Sequence, residues 1–181
     1  MGVGEELEMA VIDRALREFE GMPAGVYLAL NVSPEHIISG AVARAFTGRS
    51  LEGLVLEVTE HAPIPDYESF NAALAELRSS GLRLAVDDAG AGYASFRHIL
   101  SINPDIIKLD ITLIRGIHAD ASRRALAAAL ITFGNETGAR VVAEGVETSA
   151  ELEELQRLGV TSVQGYLLSR PIPIADALAL L

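Results

Sequence analysis

The chain has 181 residues, half of them apolar and 22% charged, with no cysteine and a formal net charge of −11. One domain with a sizeable core fits that length and composition, and the lack of cysteine excludes disulfides, thiolate zinc centres and a cysteine nucleophile. So acidic a chain repels polyanions, which disfavours a nucleic-acid polymer or a membrane surface as partner; a small anion stays admissible where bound cations reverse the local field.

The start, Met1-Gly2-Val3-Gly4, has neither a basic n-region nor an apolar h-region. No apolar run reaches the length of a membrane span. The expected compartment is the cytoplasm.

The first predicted helix covers Glu5 to Phe19, with Leu7, Val11, Ile12, Ala15, Leu16 and Phe19 on one face. A strand follows over Val26–Val32. Ser33 is placed to cap the next helix, and Pro34 suits its first position. The second strand is Leu54–Val58, and a helix spans Tyr67–Ser79. The third strand is Leu82–Val86. A glycine-rich loop and a short helix at Ser95–Leu100 lead to the fourth strand, Ile106–Leu109. An alanine-rich helix runs over Ser122–Thr137 and the fifth strand over Arg140–Ala143. Thr148 and Glu151 have the spacing of a capping box for a helix reaching Leu158. A sixth strand at Ser162–Gln164 precedes a proline-marked turn and a last short helix.

Near-continuous apolar strands alternating with helices imply a parallel sheet covered by helices. The expected fold is α/β, a TIM-like (β/α) barrel that is incomplete, with about six of its eight strands. A doubly wound open sheet is the alternative. The barrel is favoured because polar residues recur where the strands end, which is where barrel enzymes build their sites. No linker or low-complexity tract marks a second domain, so residues 1–181 are read as one.

The strand ends carry Asn31 and Ser33, then Glu57 and Glu60, then Asp87 and Asp88, then Lys108 and Asp110, then Glu144 and Glu147, then Gln164. A lone carboxylate after a strand is usually a cap or a solvated loop residue. Asp110 suits a cap as well as a site, and Glu147 suits the start of the next helix as well as a site. In a barrel, however, Asn31, Glu57, Asp87, Asp88 and Glu144 converge on one mouth. Carboxylates so close repel and need cations or protons. Oxygen-only ligands suit Mg²⁺ or Mn²⁺. His36, His61, His98 and His118 show no ligand spacing, which disfavours zinc. The segment from Asp88 to Tyr93, with Gly90 and Gly92, reads as a loop that orders around substrate and metal.

These residues resemble the EAL-type domain, the bacterial phosphodiesterase that linearises cyclic di-GMP. The matching motifs are Asn31-Val32-Ser33, Glu57-Val58-Thr59-Glu60, Asp87-Asp88-Ala89-Gly90-Ala91-Gly92-Tyr93, Lys108-Leu109-Asp110, Ala143-Glu144-Gly145-Val146-Glu147 and Gln164-Gly165-Tyr166. The resemblance implies that Asn31, Glu57, Asp87, Asp88 and Glu144 serve two metals, Mg²⁺ or Mn²⁺. It implies that Lys108 binds or deprotonates the attacking water, that Glu60 anchors the loop starting at Asp88, and that Gln164 lines the site. The triplet that names the family, Glu-Ala-Leu, does not occur in the sequence. With it go a metal-ligating glutamate and a nearby arginine that meets substrate phosphate. The loop reads Asp-Ala-Gly at 88–90 where the family has Asp-Phe-Gly. The expected function is metal-dependent hydrolysis of cyclic di-GMP to linear pGpG, impaired in this chain. The alternative is a non-catalytic module that binds cyclic di-GMP or a protein.

Six strands leave the strands at Val26–Val32 and Ser162–Gln164 as edges, both apolar and poor in charge. Covering apolar surface returns roughly 25 cal/mol per Å². The chain is therefore expected to dimerise or aggregate unless a longer polypeptide supplies the missing strands, and the resemblance points to a homodimer or a fusion to a sensory or cyclase domain. Sedimentation velocity across a dilution series should show association, and a stable monomer at micromolar concentration would mean the strand count is wrong.

Overall fold

In the computed structural model, residues 3–20, 23, 25–91 and 95–180 are described. Six strands, β1 (Leu28–Asn31), β2 (Leu54–Thr59), β3 (Arg83–Ala89), β4 (Ile106–Leu109), β5 (Arg140–Ala143) and β6 (Ser162–Val163), join one sheet in the order of the sequence. Helices α1 (Val3–Phe19), α2 (Pro34–Ile38), α3 (Ala41–Ala45), α4 (Tyr67–Ser79), α5 (Ser95–Ile102), α6 (Ile111–Ile114), α7 (Ala121–Thr137), α8 (Ser149–Arg157) and α9 (Ile174–Leu178) precede, separate and follow them. Consecutive strands, each joined to the next through helix, make the succession of a (β/α) barrel, of which the described residues carry six strands. The doubly wound alternative needs a reversal of strand order, and there is none. No helix among the described residues is long and apolar enough to cross a membrane.

The chain divides into two compact units, Met1–Asp87 with Ala94–Asp105, and Asp88–Tyr93 with Ile106–Leu181. In the first, β1 pairs in parallel with β2, and β2 with β3. Val55, Leu56 and Val58 of β2 and Leu84 and Val86 of β3 are fully buried, as a strand covered on both faces requires. Helix α1 buries Ile12 and Leu16, and α4 buries Phe70, Leu74 and Leu77. Asp66 starts α4 by accepting the N–H groups of Glu68 and Ser69 at 2.9 and 3.2 Å.

In the second unit, β4 pairs in parallel with β5, and β5 with β6. Asp120 caps α7, accepting the Ser122 and Arg123 N–H groups at 2.8 and 3.2 Å. Thr148 and Glu151 form the capping box of α8. Helix α7 seats Ala127, Leu130, Ile131 and Gly134 inward.

The structure departs from the sequence-based expectation in several places. Leu7 and Val11, expected on the apolar face of α1, are exposed at 65% and 56%, and the inward face is carried by Ile12 and Leu16. The third strand runs on through Asp87, Asp88 and Ala89, so the predicted loop starts at Gly90; Gly92 and Tyr93 lie outside the described residues. The helix expected after the first strand is two, because Gly40 breaks it with φ 72°. Ser33 precedes α2 without a side-chain cap bond, and its hydroxyl donates to Glu8 at 2.8 Å instead. α6 and the 3-10 turn at Ile117–Ala119, which the sequence reading does not include, are too short to carry a hydrophobic period.

Gly134 lies inside α7, where glycine ordinarily costs helix stability. A Cβ there would stand 2.5 Å from Val141 Cγ2 and 3.0 Å from the Ala139 carbonyl oxygen. Close approach of helix to strand therefore outweighs propensity. Gly134→Ala should lower stability by about 1–3 kcal/mol, read as a lower urea midpoint, although helix propensity alone predicts a gain.

Candidate metal and active site

In the first unit, parallel pairing sets Asn31 beside Glu57, and Glu57 beside Ala85. Strand side chains alternate, so Asp87, two residues past Ala85, projects to the same face. The ladder ends with the Glu60 N–H donating to the Asp87 carbonyl at 2.9 Å. Glu57 and Glu60 are buried, Glu60 at 2% exposure. A cavity of about 780 Å³ is lined by Asn31, Ser33, His36, Glu57, Thr59 and Glu8.

Glu8 was not among the residues singled out from the sequence. Its carboxylate accepts the Ser33 N–H at 3.2 Å and the Ser33 hydroxyl at 2.8 Å, and faces His36 Nδ1 at 2.7 Å. It ties the first helix to the end of β1, just past Asn31. No local motif announces this, because the partners are 25 and 28 residues apart.

In the second unit, Asp88 has φ 60°, the left-handed region that a non-glycine residue seldom enters. β4 continues into Asp110, whose N–H donates to the Ala89 carbonyl at 3.1 Å. Lys108 is buried at 8% exposure, and its Nζ lies 2.9 Å from Glu144 Oε1. A carboxylate oxygen of Asp88 lies within 4.8 Å of one from Glu144, and Asp87, the residue before Asp88, offers an oxygen within the same distance of Asp88's. Glu144 is held at the end of β5 by its N–H, which donates to the Leu109 carbonyl at 3.1 Å. Gln164 follows β6 and donates its N–H to the Ala143 carbonyl at 2.8 Å.

Asp110 caps α6, accepting the Thr112 N–H at 2.7 Å. Glu147 pairs with Arg115 at 3.3 Å on the surface. Together with Ile111, Gly145, Gln164, Tyr166 and Arg170 it lines a cavity of about 440 Å³. Gly90, with φ 101°, turns the chain against Leu113. The structure thus brings Asp88, Lys108 and Glu144 together, and sets Glu147 and Gln164 around a neighbouring cavity.

Carboxylate oxygens this close repel one another in a partly buried place. A hard divalent cation relieves that repulsion, and an all-oxygen donor set suits Mg²⁺ or Mn²⁺. The residues present therefore fit a divalent metal, with Lys108 balancing part of the charge on Glu144.

Sheet order defines an α/β protein with the strand succession of a (β/α) barrel, and Asp88, Lys108 and Glu144 give it an acidic group at strand ends. The chain belongs to the EAL domain family, whose match covers residues 1–171. It is 32% identical over 160 residues to the probable cyclic di-GMP phosphodiesterase PdeD of Escherichia coli, a match covering 86% of this chain and 30% of that protein. It is 34% identical over 179 residues to the bifunctional diguanylate cyclase/cyclic di-GMP phosphodiesterase MucR of Pseudomonas aeruginosa, covering 93% of this chain and 26% of that one. The structure is similar to Klebsiella pneumoniae BlrP1 in a complex with manganese and cyclic di-GMP, with a TM-score of 0.82 and 31% identity over 94% of this chain and 46% of that one. The chain spans less than a third of the length of these two curated relatives.

Near Glu60, His98 is buried with its Nδ1 3.2 Å from the Tyr67 hydroxyl. Burial holds its pKa below the ordinary 6.5, while the charge of Glu60 pulls the other way. The folded protein resists protonation that the unfolded chain accepts. His98's contribution to stability is therefore full above about pH 6.5 and is lost as the pH falls below it. Between about pH 7.5 and about pH 5.5 the melting temperature should fall, and His98→Gln should flatten that slope; an equal slope in the variant rules His98 out as its source.

Proposed function

We propose that this chain is the cyclic di-GMP-handling part of a metal-dependent phosphodiesterase that opens one phosphodiester to give linear pGpG. The observation that carries the reading is the meeting of Asp88, Glu144 and Lys108, with Glu144 2.9 Å from Lys108 Nζ and its oxygen within 4.8 Å of one from Asp88. Asp88 and Glu144 are the residues of the second unit that would hold Mg²⁺ or Mn²⁺, and the family resemblance gives the same task to Asn31, Glu57 and Asp87 of the first. Divalent cations, when bound, neutralise phosphate charge and make a water more acidic.

The chain's own residues have separate tasks. Lys108, oriented by Glu144, binds or deprotonates the attacking water. Glu60 is buried where β2 ends, and the family resemblance gives it the task of anchoring the loop that starts at Asp88. Gln164 and Glu147 border the cavity beside this group and contact the nucleotide, while Asp110 and Gly90 shape the loops around it. A surface of net charge −11 admits an anionic dinucleotide only where cations offset it.

Turnover by these 181 residues alone is reduced, because the Glu-Ala-Leu glutamate is not in the sequence. That absence also supports a second reading, a module that binds cyclic di-GMP or a protein partner without hydrolysing it. Calorimetry should show Mn²⁺ uptake that Asp88→Asn largely abolishes; unchanged uptake in Asp88→Asn removes the site assignment. Hydrolysis, followed by chromatography of pGpG, should run on the order of a hundredfold or more below that of the chain extended by strands bearing Glu-Ala-Leu, since a misplaced ligand costs about that much. Equal rates would sink the claim of impairment.

A further inference from the structure

Glu151 has been described as the N3 residue of a capping box, a role confined to the first turn of α8. Its surroundings go further. The residue is 4% exposed, and both carboxylate oxygens are used. Oε2 accepts the N–H groups of Glu147 and Thr148, each at 3.0 Å. Oε1 accepts the Gly116 N–H at 2.9 Å, from the connection that follows β4. Three backbone donors hold its pKa down against burial, the largest single influence and an opposing one, so the group stays an acceptor.

The two connections that Glu151 joins are the one that leaves the strand bearing Lys108 and the one that begins with Glu144. Residues 110–116 leave β4 through α6, and residues 144–148 leave β5. They touch at two further points. Arg115 pairs with Glu147 at 3.3 Å. Gly145, with φ 65°, lies so close to Ile111 that a Cβ would stand 2.3 Å from it. Arg115 and Glu147 are exposed, so that pair holds little. The buried carboxylate, with one oxygen on each connection, is the firm tie.

We propose that Glu151 is a positioning residue for the site, a carboxylate clamp whose hold on the Gly116 and Glu147 amides fixes how Glu144 is presented beside Lys108. It touches neither substrate nor metal. It acts through backbone: Glu147 is three residues from Glu144, and Gly116 ends the segment that starts at Asp110. Partners one step removed from a metal ligand set its orientation, and their loss typically weakens binding about 10–100-fold. The inference rests on the proposed metal reading of the site.

Glu151→Gln separates the clamp from the cap. A glutamine has one acceptor oxygen, so it can serve Thr148 and Glu147 or Gly116, not both; its amide hydrogens would oppose whichever N–H remains. Thr148→Ala does the converse, removing the hydroxyl that accepts the Glu151 N–H at 3.3 Å and leaving the carboxylate clamp in place. Mn²⁺ binding is measured by calorimetry at a temperature well below each variant's melting point, with hydrogen exchange at the Gly116 amide. Glu151→Gln should weaken Mn²⁺ binding by about tenfold or more and speed exchange at Gly116. Thr148→Ala should lose comparable thermal stability yet keep its Mn²⁺ affinity within about twofold, since it leaves the clamp intact. Wild-type affinity in Glu151→Gln, or equal weakening in Thr148→Ala, overturns the positioning role and leaves the site reading standing. If the wild-type protein takes up no Mn²⁺, or Asp88→Asn does not alter uptake, the site reading itself falls and the inference with it.

Discussion

Parallel pairing held in one register is the constraint on which the rest of this structure depends. Side chains alternate along a strand, so a slip of one residue would turn every inward group outward. Here Asn31 stands opposite Glu57, and Thr59 opposite Asp87. Lys108 stands opposite Val142, one pair before Leu109 meets Ala143. The apolar residues below them, such as Val55, Leu56, Leu84 and Ile107, are fully buried and make a slip costly. The polar groups at the strand ends are thus placed by the hydrophobic ones beneath them.

That placement carries an electrostatic cost that the protein meets locally. Glu57, Glu60, Lys108, Glu151 and Glu154 are all buried. A buried carboxylate must be paired or hydrogen-bonded. Glu144 faces Lys108, Glu151 faces backbone amides, and Glu154 pairs with Arg157. Glu8, in the other unit, does for Ser33 and His36 what Glu151 does for Gly116 and Thr148. In both cases a carboxylate from one helix fastens the connection beside a strand end.

Much of the fold was legible from the sequence because its signals are local. The limits of β4, β5 and α4 match the apolar pattern to the residue, and the capping box of α8 follows from Thr148 and Glu151 alone. The acidic group formed by Asp88 and Glu144 was also legible, since strand succession brings strand ends to one edge. What stayed hidden depends on contacts distant in sequence or on backbone strain. The extension of β3 through two aspartates contradicts their low strand propensity, and only pairing with neighbouring strands overrides it. Ser33 has the chemistry of a cap, yet its hydroxyl is taken by a helix 25 residues earlier. Asp110 fitted two readings, and the geometry shows the cap.

The order of the strands bears on how the chain is made. For β1 to β5, the partner on one side is the next strand to leave the ribosome. The sheet can therefore grow one strand at a time from the N-terminus, each helix folding back before the next strand appears. Among the described strands each pairing joins neighbours in the sequence, which keeps contact order low for a parallel sheet. At every stage, however, the newest strand is an open edge, and the helix that follows it is its cover until the next strand arrives.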